Sequence, residues 1–289
     1  MKKLACSLVL ATSVFAGLVN VSPVNAAGTS PMDLNTQLKN IGVPGDLIAD
    51  MSDSEKNDIL SEDGIVFNSA TTTIYNNLDD DTSTLAGKIT YLAKQGPIFE
   101  PGPDPIPGGV STQATISKGR FDYTVKSFDI KSKDGRTRQR AYVSYHWKNA
   151  PAWGLTDSFG VAWSTKWRAI DGTSVNHDEH KLTSSSDWVT DDHTTAVAYA
   201  SGDGIGWHAD LNNFLIHNIS EAKGYGRVNI ETKATNNPSG SDQLFANYAH
   251  IKGTFGSIGL GFGPLSVTYE GSASADTRGD WTTFKYQPK

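Results

Sequence analysis

From residue 111 onward, apolar and polar residues alternate with period two. Phe121, Tyr123 and Val125 are separated by polar neighbours, and Phe128 and Ile130 continue the alternation in the opposite phase. Such alternation marks a strand with one buried face, and the change of phase suggests a bulge near Lys126-Ser127. Asp134-Gly135 is a hairpin turn signal, after which Ala141, Val143, Tyr145 and Trp147 form the apolar face of the returning strand. Further alternating runs are Phe159-Val161-Trp163, Thr195-Val197-Tyr199, Val228-Ile230-Thr232, Ile258-Leu260-Phe262 and Leu265-Val267-Tyr269, with a terminal strand from Trp281 to Tyr286. Short strands bounded by Gly, Asn and Asp, with no helices alternating between them, predict a mainly β fold. The expected architecture is an antiparallel β-sandwich or jelly-roll-like domain over residues 111–289.

Upstream the period becomes helical. Ser30-Pro31-Met32-Asp33 offers an N-cap, a proline at the first helical position and an acidic residue in the first turn. Leu34, Leu38 and Ile41 follow at helical spacing, with Gly42 where a helix-ending glycine belongs. A second short helix fits Leu47, Ile48 and Met51. Ser52-Asp53-Ser54-Glu55 has the form of a capping box opening a third, which carries Ile59 and Leu60. Asp79-Asp80-Asp81 precedes a fourth expected helix with Leu85, Ile89 and Leu92 on one face. A small acidic α-helical segment is therefore expected over residues 27–95. Residues 96–110 read as a linker, because the fourteen residues from Gly96 to Gly109 hold five prolines and four glycines.

At the N-terminus, Met1-Lys2-Lys3, the apolar run from Leu4 to Val19 and Val24-Asn25-Ala26 have the order of a secretory signal peptide over residues 1–26. Export is the expected fate, with Ala27 as the mature N-terminus. The only cysteine, Cys6, lies inside that segment, so the exported chain would hold neither a disulfide nor a thiolate. Beyond the signal, no apolar run approaches the roughly 18–20 residues of a membrane helix, and no stable membrane anchor is expected. Charge separates the two parts of the chain. Residues 28–110 carry four basic and thirteen acidic side chains, whereas 111–289 carry 19 and 18, together with all seven tryptophans and all seven histidines. The basic run from Lys131 to Arg140 straddles a hairpin turn in a near-neutral domain, which argues against nucleic-acid binding.

Candidate chemistry is sparse. His177 and His180, with His193 a dozen residues on, are the densest set of potential metal ligands. However, the first pair is spaced three apart rather than four as in a zinc-protease helix. Asp157, Asp178, Glu179 and Asp187 supply carboxylates from which a hydrolase of an extracellular polymer could be assembled. No nucleophile elbow is present, and nothing in the sequence specifies a cofactor. Trp147, Trp163 and Trp167 lie in phase with apolar strand positions and read as core. Trp153, Trp188 and Trp207 instead sit among Pro, Gly, Ser and Asp, where an exposed indole can stack on a sugar or anchor a partner protein. The stretch from Gly256 to Gly263 alternates glycine with apolar residues and could form an amphipathic hairpin. Its strand before Pro264 is shorter than the roughly 9–11 residues that cross a bilayer. The reading with most support is a secreted binding protein for an extracellular carbohydrate or protein ligand. A metal- or carboxylate-dependent hydrolase and a membrane-active toxin are the alternatives.

Overall fold

The computed structural model describes residues 32–76, 84–93, 96–101, 120–149, 156–191, 197–201, 203–211, 219–252, 258–261, 266–269 and 274–289. The signal segment, most of the expected linker, Asp79 to Asp81, Trp153 and His193 lie outside the described residues. Among the described residues three short helices come first: α1 (Leu34–Asn40), α2 (Gly45–Asp50) and α3 (Asp53–Leu60). The strands that follow are β1 (Val66–Asn76), β2 (Thr84–Leu92), β3 (Gly96–Pro101), β4 (Phe121–Lys133), β5 (Arg136–Trp147) and β6 (Thr156–Trp163). Next come β7 (Trp167–Ala169), β8 (Val175–Leu182), β9 (Trp188–Thr190), β10 (Val197–Ser201) and β11 (Gly204–Asp210). The last are β12 (Ile219–Thr232), β13 (Gly240–Lys252), β14 (Ile258–Gly261), β15 (Ser266–Tyr269) and β16 (Ser274–Tyr286).

All pairings are antiparallel. Sheet A runs β3-β2-β1-β4-β5-β12-β8-β9, with β7 also on β12; sheet B runs β10-β11-β6-β13-β16; β14 and β15 pair separately. Sheets A and B face each other across one core that includes Phe121, Tyr123, Val143 and Trp147 from sheet A and Phe159, Trp207, Tyr248 and Phe284 from sheet B. The fold is thus an antiparallel β-sandwich. The helices cover the other side of sheet A, where Leu38, Leu47, Ile48 and Ile59 pack with Phe128, Ile130, Tyr142 and Tyr225 in a second core.

This three-layer arrangement explains β4. Odd residues from Phe121 to Val125 face the sandwich, and even residues Phe128 and Ile130 face the helices. The phase change read from the sequence is therefore two-sided burial rather than a bulge at Lys126-Ser127; the extra residue in β4 falls later, between Ile130 and Lys133. At Ser127 itself the irregularity lies in the partner strand β1, where Phe67 pairs with Phe128 but Ser69 with Ser127. Asp134 and Gly135 take positive φ values of 51° and 71°, as the tight β4–β5 turn requires. Two helix starts also become concrete. Ser52 Oγ accepts from Glu55 N at 3.0 Å, as the capping box implies, whereas the α1 cap is Asp33, accepting from Thr36 N, rather than Ser30.

The expected helical segment over 27–95 requires correction. Val66–Asn76, Thr84–Leu92 and, at the start of the expected linker, Gly96–Pro101 are strands β1, β2 and β3, and β2 occupies the span assigned to a fourth helix. β1 pairs with β4 along most of its length, so this region completes sheet A, and Asp33–Lys289 forms one compact unit. The β-branched run Thr71-Thr72-Thr73-Ile74 favours a pleated strand, and pairing with a buried neighbour outweighs the helical spacing of Leu85, Ile89 and Leu92.

Candidate ligand-binding cleft

On the helix side of sheet A, one row of residues escapes the apolar cover. Register places Asp122 of β4 beside His146 of β5, His146 beside Lys223 of β12, and Lys223 beside Glu179 of β8. Glu221 and Lys181 pair one step along, and Trp188 of β9 stands next to Lys181. Alternating charges at every second residue of β8 and β12 are what a strand face turned toward water requires. Helix α2 and the start of α3 border this row and enclose a small cavity of about 20 Å³ with Thr124, Lys126, Ser144, His146 and Lys223, room for one water molecule.

Charge is paired throughout. Lys126 is buried and bonded to Glu55 of α3, and its Nζ also donates to Ser144 Oγ at 2.6 Å. Lys148 bridges Asp50 and Asp122, and Lys181 meets Glu221 at 3.1 Å. His146 Nε2 lies 3.2 Å from Glu221 Oε2, while its buried Nδ1 makes no hydrogen bond and stands 3.9 Å from Asp50. Burial lowers the His146 pKa, so the ring stays neutral: Nε2–H donates to Glu221 and Nδ1 is left as an acceptor. The hydrogen bond from His146, with help from Lys181, brings Glu221 down to about 2. Burial opposes ionisation of Glu179, but His177 and Lys223 together hold its pKa below the ordinary value.

Trp188 caps this row. Its indole is half-buried, with Lys223 Nζ 4.0 Å from the ring centroid and the His146 ring edge-on at 5.9 Å. Two neighbours therefore hold it from below and leave part of it open to solvent. Of the three tryptophans expected to meet a ligand, only Trp188 is placed to do so among the described residues. Trp207 corrects the expectation. On β11 it points into the sandwich with 0% exposure, its Nε1–H donates to Ser174 Oγ at 3.0 Å, and a Cβ added at Gly226 would run into its ring. Gly226 of β12, on the facing sheet, is what allows the two sheets to close on a flat indole.

Nor do His177 and His180 converge, and His193 lies outside the described residues. Three residues apart on β8, His177 and His180 fall on opposite faces. His177 Nε2 lies 2.9 Å from Glu179 and His180 Nδ1 lies 2.8 Å from Asp191. No cluster of three His, Cys, Asp or Glu among the described residues is arranged to hold a metal. Asp157 is also committed: it accepts from Tyr248 OH at 2.6 Å and lies 2.9 Å from His250 Nδ1, fully buried between the sheets. His146, Lys223 and Glu221 escaped the sequence reading, although the period-two charges of Glu221-x-Lys223 and His177-x-Glu179-x-Lys181 were a usable signal. A larger, mostly apolar groove of about 550 Å³ lies elsewhere, between Val66, Phe67 and Leu92 and the C-terminal Tyr286, Gln287 and Lys289.

No protein-family model matches the chain, and no curated protein does. Several solved structures overlap it in part. The collagen-binding subdomain of Enterococcus faecalis surface protein ACE overlaps with TM-score 0.30 and 4% identity, over 53% of this chain and 89% of that one. The collagen-binding domain of Erysipelothrix rhusiopathiae surface protein RspB gives TM-score 0.26 and 6% identity over 73% and 79%. The enzymatically active domain of a bacteriophage CBA120 tailspike protein gives 0.20 and 9% over 58% and 18%. Among the described residues no helix is long and apolar enough to cross a membrane.

Proposed function

We propose that this chain is an exported binding protein that takes a partner protein on the outer face of sheet A, at the Trp188 end of the cleft. The observation that carries the reading is the half-open Trp188 indole, fixed by Lys223 and His146 within a ring of paired charges. A single rigid indole surrounded by a polar rim is the composition of a protein-interface hot spot. A sugar chain would be better met by several indoles in line. The cleft's charges are already neutralised in pairs, so the partner contributes shape and hydrogen bonds around the indole rather than a large opposite charge. Export rests on the signal-like N-terminus.

The test is a binding screen of the chain without residues 1–26 against immobilised extracellular-matrix proteins, collagen included, and against a glycan panel. Trp188→Ala should weaken the selected interaction by about 2 kcal/mol or more, roughly thirtyfold, with an unchanged melting temperature. Retention by glycans alone, or wild-type affinity in Trp188→Ala, would contradict the proposal.

A further inference from the structure

The basic run from Lys131 to Arg140 folds into the β4–β5 hairpin, and its arginines fall at every second position of β5. Arg136, Arg138 and Arg140 therefore share the side of sheet A that carries Tyr142 and the helices. Arg140 meets the end of α3, donating to Asp58 O at 3.0 Å and pairing with Glu62. Arg138 and Arg136 turn instead to Glu231 of β12. Register sets Glu231 between Arg138 of β5 and Arg168 of β7, a row across three strands.

The Glu231 side chain is 8% exposed, and both of its oxygens are occupied. Oε2 accepts from Arg138 Nε at 3.1 Å and Nη2 at 2.9 Å; Oε1 accepts from Arg168 Nε at 3.1 Å and Nη2 at 2.6 Å. Arg136 Nε stands 3.6 Å from the same Oε1, and its Nη1 donates to Thr232 O at 2.8 Å. Burial opposes ionisation of Glu231, but Arg168 and Arg138 together hold its pKa below the ordinary value. One buried carboxylate thus fixes two guanidinium planes, each by one edge. Their Nη1 groups make no hydrogen bond among the described residues, and the Arg168 side chain is 50% exposed. Lys133, opposite Arg136 in register, lies on the same side, and the turn adds Asp134. Three arginines and a lysine therefore answer to one buried carboxylate and one turn acid, on a chain whose net charge is −6. A staple across three strands would be as well served by a balanced row. Surplus positive charge and free guanidinium edges are what an anion site presents.

We propose that Arg168, Arg138 and Arg136 form a binding site for a sulfated polysaccharide, with Glu231 as the positioning residue that holds their guanidinium groups. A planar fork meets a tetrahedral oxyanion through paired hydrogen bonds. A carboxylate bound along one edge orders each fork in advance, so less freedom is lost when a sulfate arrives. The surroundings favour a sulfated sugar over other polyanions. A DNA duplex carries a charge about every 1.7 Å, and the acidic remainder of the chain repels so dense a charge. The row itself holds neither an aromatic ring to stack on unpaired bases nor an apolar anchor for a membrane surface. A sulfated polysaccharide needs neither, since its sulfate groups stand out separately along a thin chain. Glu231 lies eight residues from Lys223 on β12, about 26 Å at ~3.3 Å per residue. The site is therefore separate from the Trp188 cleft and does not rest on that reading.

The test measures binding of the full chain without residues 1–26 to heparin at about 0.15 M ionic strength. Desulfated heparin, duplex DNA and phosphatidylglycerol vesicles are the comparison ligands. Heparin binding that weakens as salt rises, with little retention of desulfated heparin, is the expected result. Arg168→Ala, at a half-exposed position, should weaken it about tenfold or more. Arg168→Lys keeps the charge and loses the fork, and should recover only part of that loss. Glu231→Gln makes the surface more positive, so a diffuse attraction would strengthen. A positioning role instead predicts weaker heparin binding, measured at a temperature where circular dichroism shows the variant folded. Trp188→Ala should leave heparin affinity unchanged, which separates failure of this site from failure of the cleft. No binding of heparin, equal binding of desulfated heparin, tighter binding of DNA or vesicles, wild-type affinity in Arg168→Ala, or stronger binding in Glu231→Gln would overturn the proposal.

Discussion

Trp188 and Trp207 both sit among turn-forming residues in the sequence, yet one indole caps a charged row and the other fills the sandwich. The difference is a difference of partners: Lys223 and His146 hold Trp188 at the surface, and Gly226 makes room for Trp207 inside. Trp207→Ala should cost about 3–5 kcal/mol of stability through the cavity it leaves, read as a lowered urea midpoint, while Trp188→Ala should leave that midpoint in place. Acid sensitivity belongs to the same few residues. Burial keeps His146 below its ordinary value of 6.5, so the unfolded chain takes up this proton first as pH falls, and stability is lost from about pH 6.5 downward. Glu221, held at about 2 against an ordinary 4.5, adds a second loss as pH falls from 4.5 toward 2. Urea midpoints measured against pH should show both stages in the wild type, and His146→Gln should remove the upper one.

Strand β4 shows how the elements depend on one another, because it is buried on both sides and carries a lysine inside. Lys126 is neutralised by Glu55 of α3, so the ion pair ties the helix layer to sheet A. Lys126→Met would strand Glu55 without its partner and should cost about 3–5 kcal/mol; pairing it with Glu55→Leu should recover most of that loss, measured by the same denaturation curves. The strands of the sandwich were legible because their alternation reports a single sandwich core: Phe121, Val143 and Phe159 all face it. What was not legible arises from the third layer. Phe128 and Ile130 looked like a slipped phase because the helices that bury them lie some seventy residues upstream. β1 to β3 were missed because an acidic, aliphatic-poor segment gains its strand character from pairing with β4. Of the site, Trp188 was visible as an indole outside the core pattern, but His146 and Lys223 were not, since cross-strand register is needed to bring them beneath it.

For the molecule as a whole, the helices and β1 to β3 belong to the same compact unit as the sandwich, so a fragment beginning at residue 111 would expose the Phe128, Ile130, Tyr142 and Tyr225 surface. It should bind a hydrophobic dye and lose its sharp thermal transition. Two surfaces of this unit compete for a partner: the Trp188 cleft on the helix side of sheet A, and the apolar groove lined by Val66, Phe67, Leu92 and the C-terminal Tyr286. Amide hydrogen exchange on the intact chain, with and without the partner found in the binding screen, distinguishes them in one measurement. Protection confined to β5, β8, β9, β12 and the α2–α3 border is the predicted footprint. Protection at Val66 to Asn68 and Thr283 to Lys289 instead, around the apolar groove, would contradict the assignment of the binding site to the Trp188 cleft.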